Sequence, residues 1–331
     1  MVFRMTRFLA RRLVYYVVLV FLATSLTYFL SSATFSPRSV YAERNPAPPA
    51  ATIDRKLDDI GVNDKTPIVV RYGHWLGDAV QGNLGQTIQD RPVADQFWPR
   101  LGVSLRLLLV GTIVGILLGV LLGVWNAIRQ YRVSDRVSAV VSIVLISTPV
   151  FLTAVFLKIG ATKLNQDTGT QIINFTGEAT PGLSGSWAEL LLDRGVHLLL
   201  PTISIALGLI AIYSRYQRAT MLDVLGSDFL RTARAKGLTK RQATFKHGLR
   251  TALLPMTTLF AYGFLGILTG AIFTEKIFGW NGLGAWFIDS VNNNDVNAVT
   301  AYSLFASVMV LIAGFLADTL TAVLDPRVRR N

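Results

Sequence analysis

The sequence predicts an all-α, polytopic membrane protein with six transmembrane helices. It places an extracytoplasmic segment between helices 1 and 2 and a basic cytoplasmic loop between helices 4 and 5. Three observations carry this. Of the 331 residues, 51% are hydrophobic and only 16% charged, too apolar for an ordinary soluble domain and long enough for several spans. Six apolar segments recur along the chain, at about residues 13–33, 101–127, 137–161, 198–213, 253–273 and 299–323. Charge then sorts with the drawn topology. The regions placed inside (1–12, 126–136, 214–250 and 325–331) hold 19 Lys/Arg against four acids, and those placed outside hold 11 against 15. Excess Lys/Arg marks the cytoplasmic side. The net charge of +12 is thus a membrane signature, and nucleic acid is not an expected partner.

In chain order, residues 1–12 carry Arg4, Arg7, Arg11 and Arg12 and no acid. The apolar run that follows ends near Ser31-Ser32-Ala33, which mimics a signal-peptide cleavage site. Its length of about twenty residues exceeds the usual signal h-region of ~7–15, so a first span with a cytoplasmic N-terminus is expected. Residues 1–33 form the first unit and residues 34–100 the extracytoplasmic segment. That segment is polar, balanced at eight basic and eight acidic residues, and flexible around Pro46, Pro48 and Pro49. Tyr72 and Trp75 are candidates for anchoring it at the lipid interface, the expected role of such aromatics, or for meeting a delivered protein.

Residues 101–331 make the five-helix core. In its first span Gly111, Gly115, Gly119 and Gly123 fall on one helix face, where another helix can approach closely. Whether that neighbour belongs to this chain or to a second subunit stays open. Ser147-Thr148-Pro149 interrupts the next span, because proline removes a backbone donor and kinks the helix. The span at 198–213 is short and is expected to continue helically into the loop at 214–255. Residues 276–296 are amphipathic and too short to cross, so a helix dipping in at the outer face is expected. Arg106 and Lys158, near segment ends, are expected to snorkel. Asp318 is expected to be structural or water-facing.

The loop at 214–255 is the most informative stretch. It holds nine Lys/Arg against Asp223 and Asp228. Phe229, Leu230, Ala233 and Leu238 give a short helix there an apolar edge, Ser227 or Asp228 can cap it, and Gly237 can end it. Such a helix fits another protein's groove, or lies on anionic lipid; both readings stand on composition.

No catalytic constellation is present. There is no Gly-rich phosphate loop ending in Gly-Lys-Ser/Thr and no His-Glu-x-x-His. Cysteine is absent, and His74, His197 and His247 lack ligand spacing, so neither a thiolate nor a histidine metal site is expected. A stand-alone secondary transporter or channel would need buried ion-coupling residues or internal repeats, and neither is seen. A membrane enzyme would need paired acids, His or Ser/Lys within the spans, and none stand together. A scaffold is not excluded by physics.

DFLRTARAKGL followed by KHGLRTALLP resembles the cytoplasmic loop of permease subunits of ABC importers, closest to the oligopeptide/dipeptide/nickel branch. The wider family carries Glu-Ala-Ala, three residues, then Gly; here Arg231, Thr232 and Ala233 stand in the first three places and Gly237 is kept. Similarity extends to RRLVYYVVLVFLATSLTYFL, to the outer segment around Tyr72, Trp75, Gly82, Gly85 and Pro92, to EKIFGWNGLGAW with Phe278, Trp280, Gly282 and Gly284, and to the Asp325-Pro326-Arg327 ending. The resemblance implies a coupling helix that docks an ATPase, made of Asp228, Phe229, Leu230, Arg231, Thr232, Ala233, Arg234, Ala235, Lys236 and Gly237. It also implies an outer gate or binding-protein contact at Tyr72, Trp75, Phe278, Trp280, Gly282 and Gly284. Its implied partners are a second homologous permease, two cytoplasmic ABC ATPases that bind ATP and Mg, and an extracytoplasmic peptide-binding protein, all at the lipid bilayer, with no cofactor in this chain. The substrates implied are oligopeptides first and dipeptides next.

Overall fold

A computed structural model describes residues 2–256, 259 and 272–324, with side chains from residue 11 and, in the last helix, through 315 and at 319. Apart from an isolated bridge between Gln86 and Pro92, regular structure among the described residues is helical. Among the described residues four helices are long and apolar enough to cross a membrane: α1 (Val2–Thr34), through its portion Arg11–Thr34; α5 (Val93–Ile128); α8 (Trp187–Leu225); and α14 (Val296–Leu324), through Val296–Phe315. A fifth candidate is the pair α6 (Val133–Ser147) and α7 (Val150–Thr168), bent by 106°. Most of the predicted span at 253–273, the side chain of Asp318 and the Asp325-Pro326-Arg327 ending lie outside the described residues.

The predicted kinked span at 137–161 is therefore two helices at a sharp corner. Pro149 accounts for this. Its ring pushes the preceding residue out of the α region, and Thr148 is extended (φ −94°, ψ 122°). Pro149 itself (φ −56°, ψ 139°) then serves as the N-cap of α7. Two consecutive non-helical residues turn a chain much further than one missing hydrogen bond does. The predicted span at 198–213 is also revised. α8 runs 39 residues, starting in what the sequence suggested was outer loop, under a Ser186–Glu189 capping box. It continues through Leu225, so the first part of the basic loop is helical, as expected.

The chain divides into two compact units. The first takes residues 1–104 and 281–312. Its polar segment folds into α2 (Pro37–Ala42), α3 (Ala50–Asp59) and α4 (Ile68–Val80) around Tyr28, Tyr41, Leu57, Trp75, Ile88 and Val296. Tyr28, within α1, lies 5.3 Å from the Trp75 ring and 5.4 Å from Tyr72. The hydroxyls of Tyr72 and Ser25 are 2.6 Å apart. Those contacts tie the module to the C-terminal part of α1. α13 (Leu283–Asn292), ten residues and too short to cross, sits in the same unit. Asp295 accepts the backbone N–H groups of Ile88 (2.8 Å) and Ala298 (3.0 Å) at the start of α14. Burial holds its carboxyl above the usual range despite those donors.

The second unit takes residues 105–280 and 313–331. Its glycine stripe packs against α8 of the same chain, which resolves the open choice. A Cβ added at Gly111, Gly115, Gly119 or Gly123 would lie 3.0, 2.7, 2.8 or 2.6 Å from Ile205, Leu209, Tyr213 or Ser214. Arg106 and Lys158 each find an acceptor within the protein. Arg106 pairs with Glu178 at 2.5 Å, and Lys158 donates to the Ile277 carbonyl oxygen at 2.5 Å, at the end of α12 (residues 272–278).

Candidate functional site: a short helix below the longest span

Directly after α8 the chain turns at Gly226 and Ser227 into α9 (Asp228–Ala235). Ser227 holds the N-cap position with extended backbone (φ −74°, ψ 148°). Its Oγ, however, donates back to the Val224 carbonyl oxygen (2.6 Å), closing the end of α8 rather than capping α9. Asp228 occupies the first turn, where a carboxylate complements the helix dipole. At the other end Gly237 has φ +94°, and the N–H groups of Gly237 and Leu238 donate to the carbonyl oxygens of Arg234 (3.0 Å) and Ala233 (3.3 Å). That left-handed turn closes the helix where the sequence placed its end.

The two faces of α9 differ. Leu230 is buried beside Gly248, which also adjoins Val224: a Cβ at Gly248 would lie 3.4 Å from the side chains of Leu230 and of Val224. Phe229 is 43% exposed, and Asp228, Arg231, Thr232, Arg234, Ala235 and Lys236 are exposed with it, while Ala233 is half-buried. Arg231 reaches Asp228 at 3.3 Å, a fully solvated contact of little energy. The sequence alone grouped Phe229, Leu230 and Ala233 as one apolar edge. The fold spends Leu230 on its own chain, because the i, i+1 neighbours of a helix point about 100° apart.

Behind α9 the chain folds back. Thr239 and Gln242 form a capping box at the start of α10 (Lys240–Ala243), followed by one π-helical turn at Thr244–Gly248 and by α11 (Leu249–Leu253). Ala252 of α11 joins Met221 of α8 and Ala127 of α5 in a small core. One more anchor holds α8. Arg218 donates Nε and Nη2 to the two carboxylate oxygens of Asp135 in α6, at 2.5 and 2.8 Å. Asp135 also accepts the N–H of Tyr131 at 2.9 Å. The sequence counted Arg218 only as loop charge and did not see this pair; the lone acid among Arg129, Arg132 and Arg136 was the available signal.

The outer candidates are divided between the two units. Trp75 is buried and Tyr72 half-buried in the core of the first unit, a structural placement. Gly282 and Gly284 belong to the same unit, at the start of α13, where the Leu283 N–H donates to Ser104 Oγ (2.8 Å). Phe278 and Trp280 belong to the second unit and are buried there; the Phe278 carbonyl oxygen accepts the Gly177 N–H at 2.9 Å.

The chain matches a known family over residues 115–330, described as the binding-protein-dependent transport system inner membrane component. It is 52% identical over 325 residues to the oligopeptide transport system permease protein OppB of Mycobacterium tuberculosis, covering 98% of this chain and 99% of the relative. It is 34% identical over 286 residues to the oligopeptide transport system permease protein AppB of Bacillus subtilis, covering 85% and 87%. A glutathione transport system permease protein, GsiC of Shigella flexneri, is 29% identical over 285 residues, covering 86% of each.

Proposed function

The chain belongs to the family of binding-protein-dependent transport system inner membrane components, and from that premise we propose that it is the membrane-spanning permease subunit of an ATP-driven ABC importer of peptides. Oligopeptides are the first substrate class and dipeptides the next, since relatives 52% and 34% identical are oligopeptide permeases. Its partners in this proposal are a second, similar permease, two cytoplasmic ATPases that bind ATP and Mg, and an extracytoplasmic peptide-binding protein. Both termini and α9 face the cytoplasm, where the excess of Lys/Arg lies.

The observation that carries this reading is α9 itself. It is an eight-residue helix fixed from behind by Leu230, closed by Gly237, and presenting Phe229 among charged neighbours. A single large aromatic amid polar residues suits a groove in a partner, where one buried anchor supplies most of the affinity and the surrounding charges set orientation. The short Gly226–Ser227 turn joins α9 directly to α8, so any displacement of α9 passes into α8, and the Asp135–Arg218 pair passes it on to α6.

Pull-down of the chain from detergent-solubilised native membranes, followed by an ATPase assay, tests this. Recovery of a second permease and an ATPase, lost on Phe229→Asp, is the expected result. Recovery of the chain alone would assign it to stand-alone transport and leave α9 as a lipid-surface helix.

A further inference from the structure

The first unit contains a cavity of about 430 Å³ that the translocation reading does not use. Its walls come from α3, α4, the strand-like turn around Gln86 and Pro92, and Asn297 of α14. Those walls are fixed: Asn297 Nδ2 donates to the carbonyl oxygens of both Ile60 (2.9 Å) and Gln86 (2.8 Å). A preformed, half-apolar cavity of this size is typical of small-ligand sites.

Its chemistry is asymmetric. Two lining residues of α4, Arg71 and Trp75, are each only 7% exposed. Arg71 Nη1 donates to the Val62 carbonyl oxygen (3.1 Å), while Arg71 Nε and Trp75 Nε1 have no acceptor. No ion pair among the described residues reaches Arg71. A guanidinium withdrawn from water without a counter-ion costs several kcal/mol, which an anion seated beside it would offset. Its planar fork matches a carboxylate. Around the mouth stand Asp58, Asp59 and Asp78, all exposed. Asp58 accepts Asn63 Nδ2 (2.7 Å), whereas no ion pair among the described residues reaches Asp59 or Asp78.

One buried cation under a ring of three carboxylates disfavours a polyanion such as phosphate and equally disfavours a simple cation. It also does not suit a metal: no metal-holding group of His, Asp or Glu occurs among the described residues. A zwitterion satisfies both charges. We propose that this cavity binds a free peptide of two or three residues, its C-terminal carboxylate on Arg71 and its ammonium group on the acidic mouth. This rests on the peptide-importer reading only in naming a peptide as the zwitterion. The spacing agrees. Arg71, Trp75 and Asp78 fall at i, i+4 and i+7 on α4, so Arg71 and Asp78 are separated by about 10 Å along the axis. Two extended residues span about 7 Å, and side-chain reach closes the rest. Ring contacts of Trp75 with Tyr28 (tilted) and Tyr72 (stacked) hold its indole in place.

Equilibrium dialysis of labelled dialanine against the full-length chain in detergent, without binding protein, tests the site. Saturable binding is expected, with N-acetyl-dialanine amide, which lacks both charges, not competing. Arg71→Gln should weaken binding at least ~tenfold and Asp78→Asn about threefold, as loss of charge-assisted contacts does. Should Arg71→Gln fail to fold, the blocked peptide on the wild-type chain and Asp78→Asn on the exposed mouth decide. Absence of saturable binding overturns the proposal, and so does binding that neither substitution weakens. Peptide uptake by the whole complex is measured separately. Wild-type uptake without dialanine binding to this chain removes the cavity site alone, and dialanine binding without uptake removes the importer reading alone.

Discussion

Arg218 of α8 and Asp135 of α6 are joined by a two-pronged ion pair, with Nε–Oδ1 at 2.5 Å and Nη2–Oδ2 at 2.8 Å. The carboxylate side chain is 4% exposed and the guanidinium 29%. Such a pair contributes little net stability over an apolar replacement, but breaking it strands a buried charge. Arg218→Ala should therefore destabilise the protein by about 3 kcal/mol, the low end for a broken buried pair because Arg218 is partly solvated. Arg218→Lys keeps the charge but not the fork and should also lower ATP-driven uptake. Thermal unfolding in detergent and uptake in proteoliposomes check both. The exchange of both residues, Asp135→Arg with Arg218→Asp, should recover part of the loss if the pair acts as a link.

Phe229 and Leu230 adjoin in sequence yet have opposite roles. Leu230 is 5% exposed and Phe229 43%. Leu230→Ala should cost about 2–3 kcal/mol of stability, within the range for a buried leucine. Phe229→Ala should leave the unfolding midpoint within a degree or two, because an exposed ring adds little to the fold. The order inverts for ATPase co-purification, where Phe229→Ala should be the more damaging. Equal effects of the two substitutions on stability would contradict the burial assigned to them.

Gly237 ends α9 at φ +94°, and open space surrounds it. Any penalty at this position is therefore conformational rather than steric. Gly237→Asn should be tolerated, since asparagine visits the left-handed region. Gly237→Ala should cost about 1 kcal/mol and Gly237→Val more, with α9 turned out of its position and transport uncoupled from ATP hydrolysis. Normal coupled transport in a Gly237→Val complex would refute the role given to this turn.

Gly115 fails in the contrary way, by contact. A Cβ there would meet Leu209 Cβ at 2.7 Å and Ala206 Cα at 3.1 Å. Backbone and β-carbons cannot swing aside, so α5 and α8 must part. Gly115→Ala should destabilise by about 1–3 kcal/mol, as overpacking does, and Gly115→Leu should prevent accumulation in the membrane. Gly102, with nothing within 4 Å, is the control, and its replacement by alanine should be silent.

Much of this was legible in the sequence, and the reason differs by element. The long spans and α9 follow from local apolar periodicity, with the left-handed turn at Gly237 closing α9, signals that need no tertiary partner. The corner at Thr148–Pro149 was readable only as a disturbance. Proline states that the helix is interrupted, but the angle of 106° depends on what packs against the two arms. The Asp135–Arg218 pair joins residues 83 positions apart, and no single-chain pattern links them. The same holds for Arg71, whose burial follows from the fold of α4 onto the loop at Val62 and not from its neighbours in sequence. Tyr72 and Trp75 show the converse: an aromatic motif shared with a family says that the rings matter, while their burial against Tyr28 says that they hold the module together.

Arg38 gives the first unit an acid sensitivity with a definite sign. It bridges Asp64 (2.6 Å) and Asp54 (2.7 Å), and Lys65 meets Asp54 at 2.6 Å. Hydrogen bonding to Lys65 and Arg38 holds Asp54 below its ordinary 3.8, and Arg38 does the same for Asp64. A carboxyl whose folded pKa is depressed contributes stability above its unfolded value, and that contribution is lost as pH falls through the folded one. The network should therefore be intact at neutral pH and be lost as pH falls below the ordinary 3.8 and through the depressed carboxyls. Asp295, buried and shifted upward, has the opposite sign, its charged form being the costly one. Acid melting of the wild-type chain thus mixes the two, and subtraction of an Arg38→Gln variant isolates the network. Hydrogen exchange across residues 37–66 should show the wild type losing protection once pH falls below 3.8 while Arg38→Gln, already less protected at neutral pH, changes little over the same fall. Parallel loss in both proteins would place the acid sensitivity elsewhere in the chain.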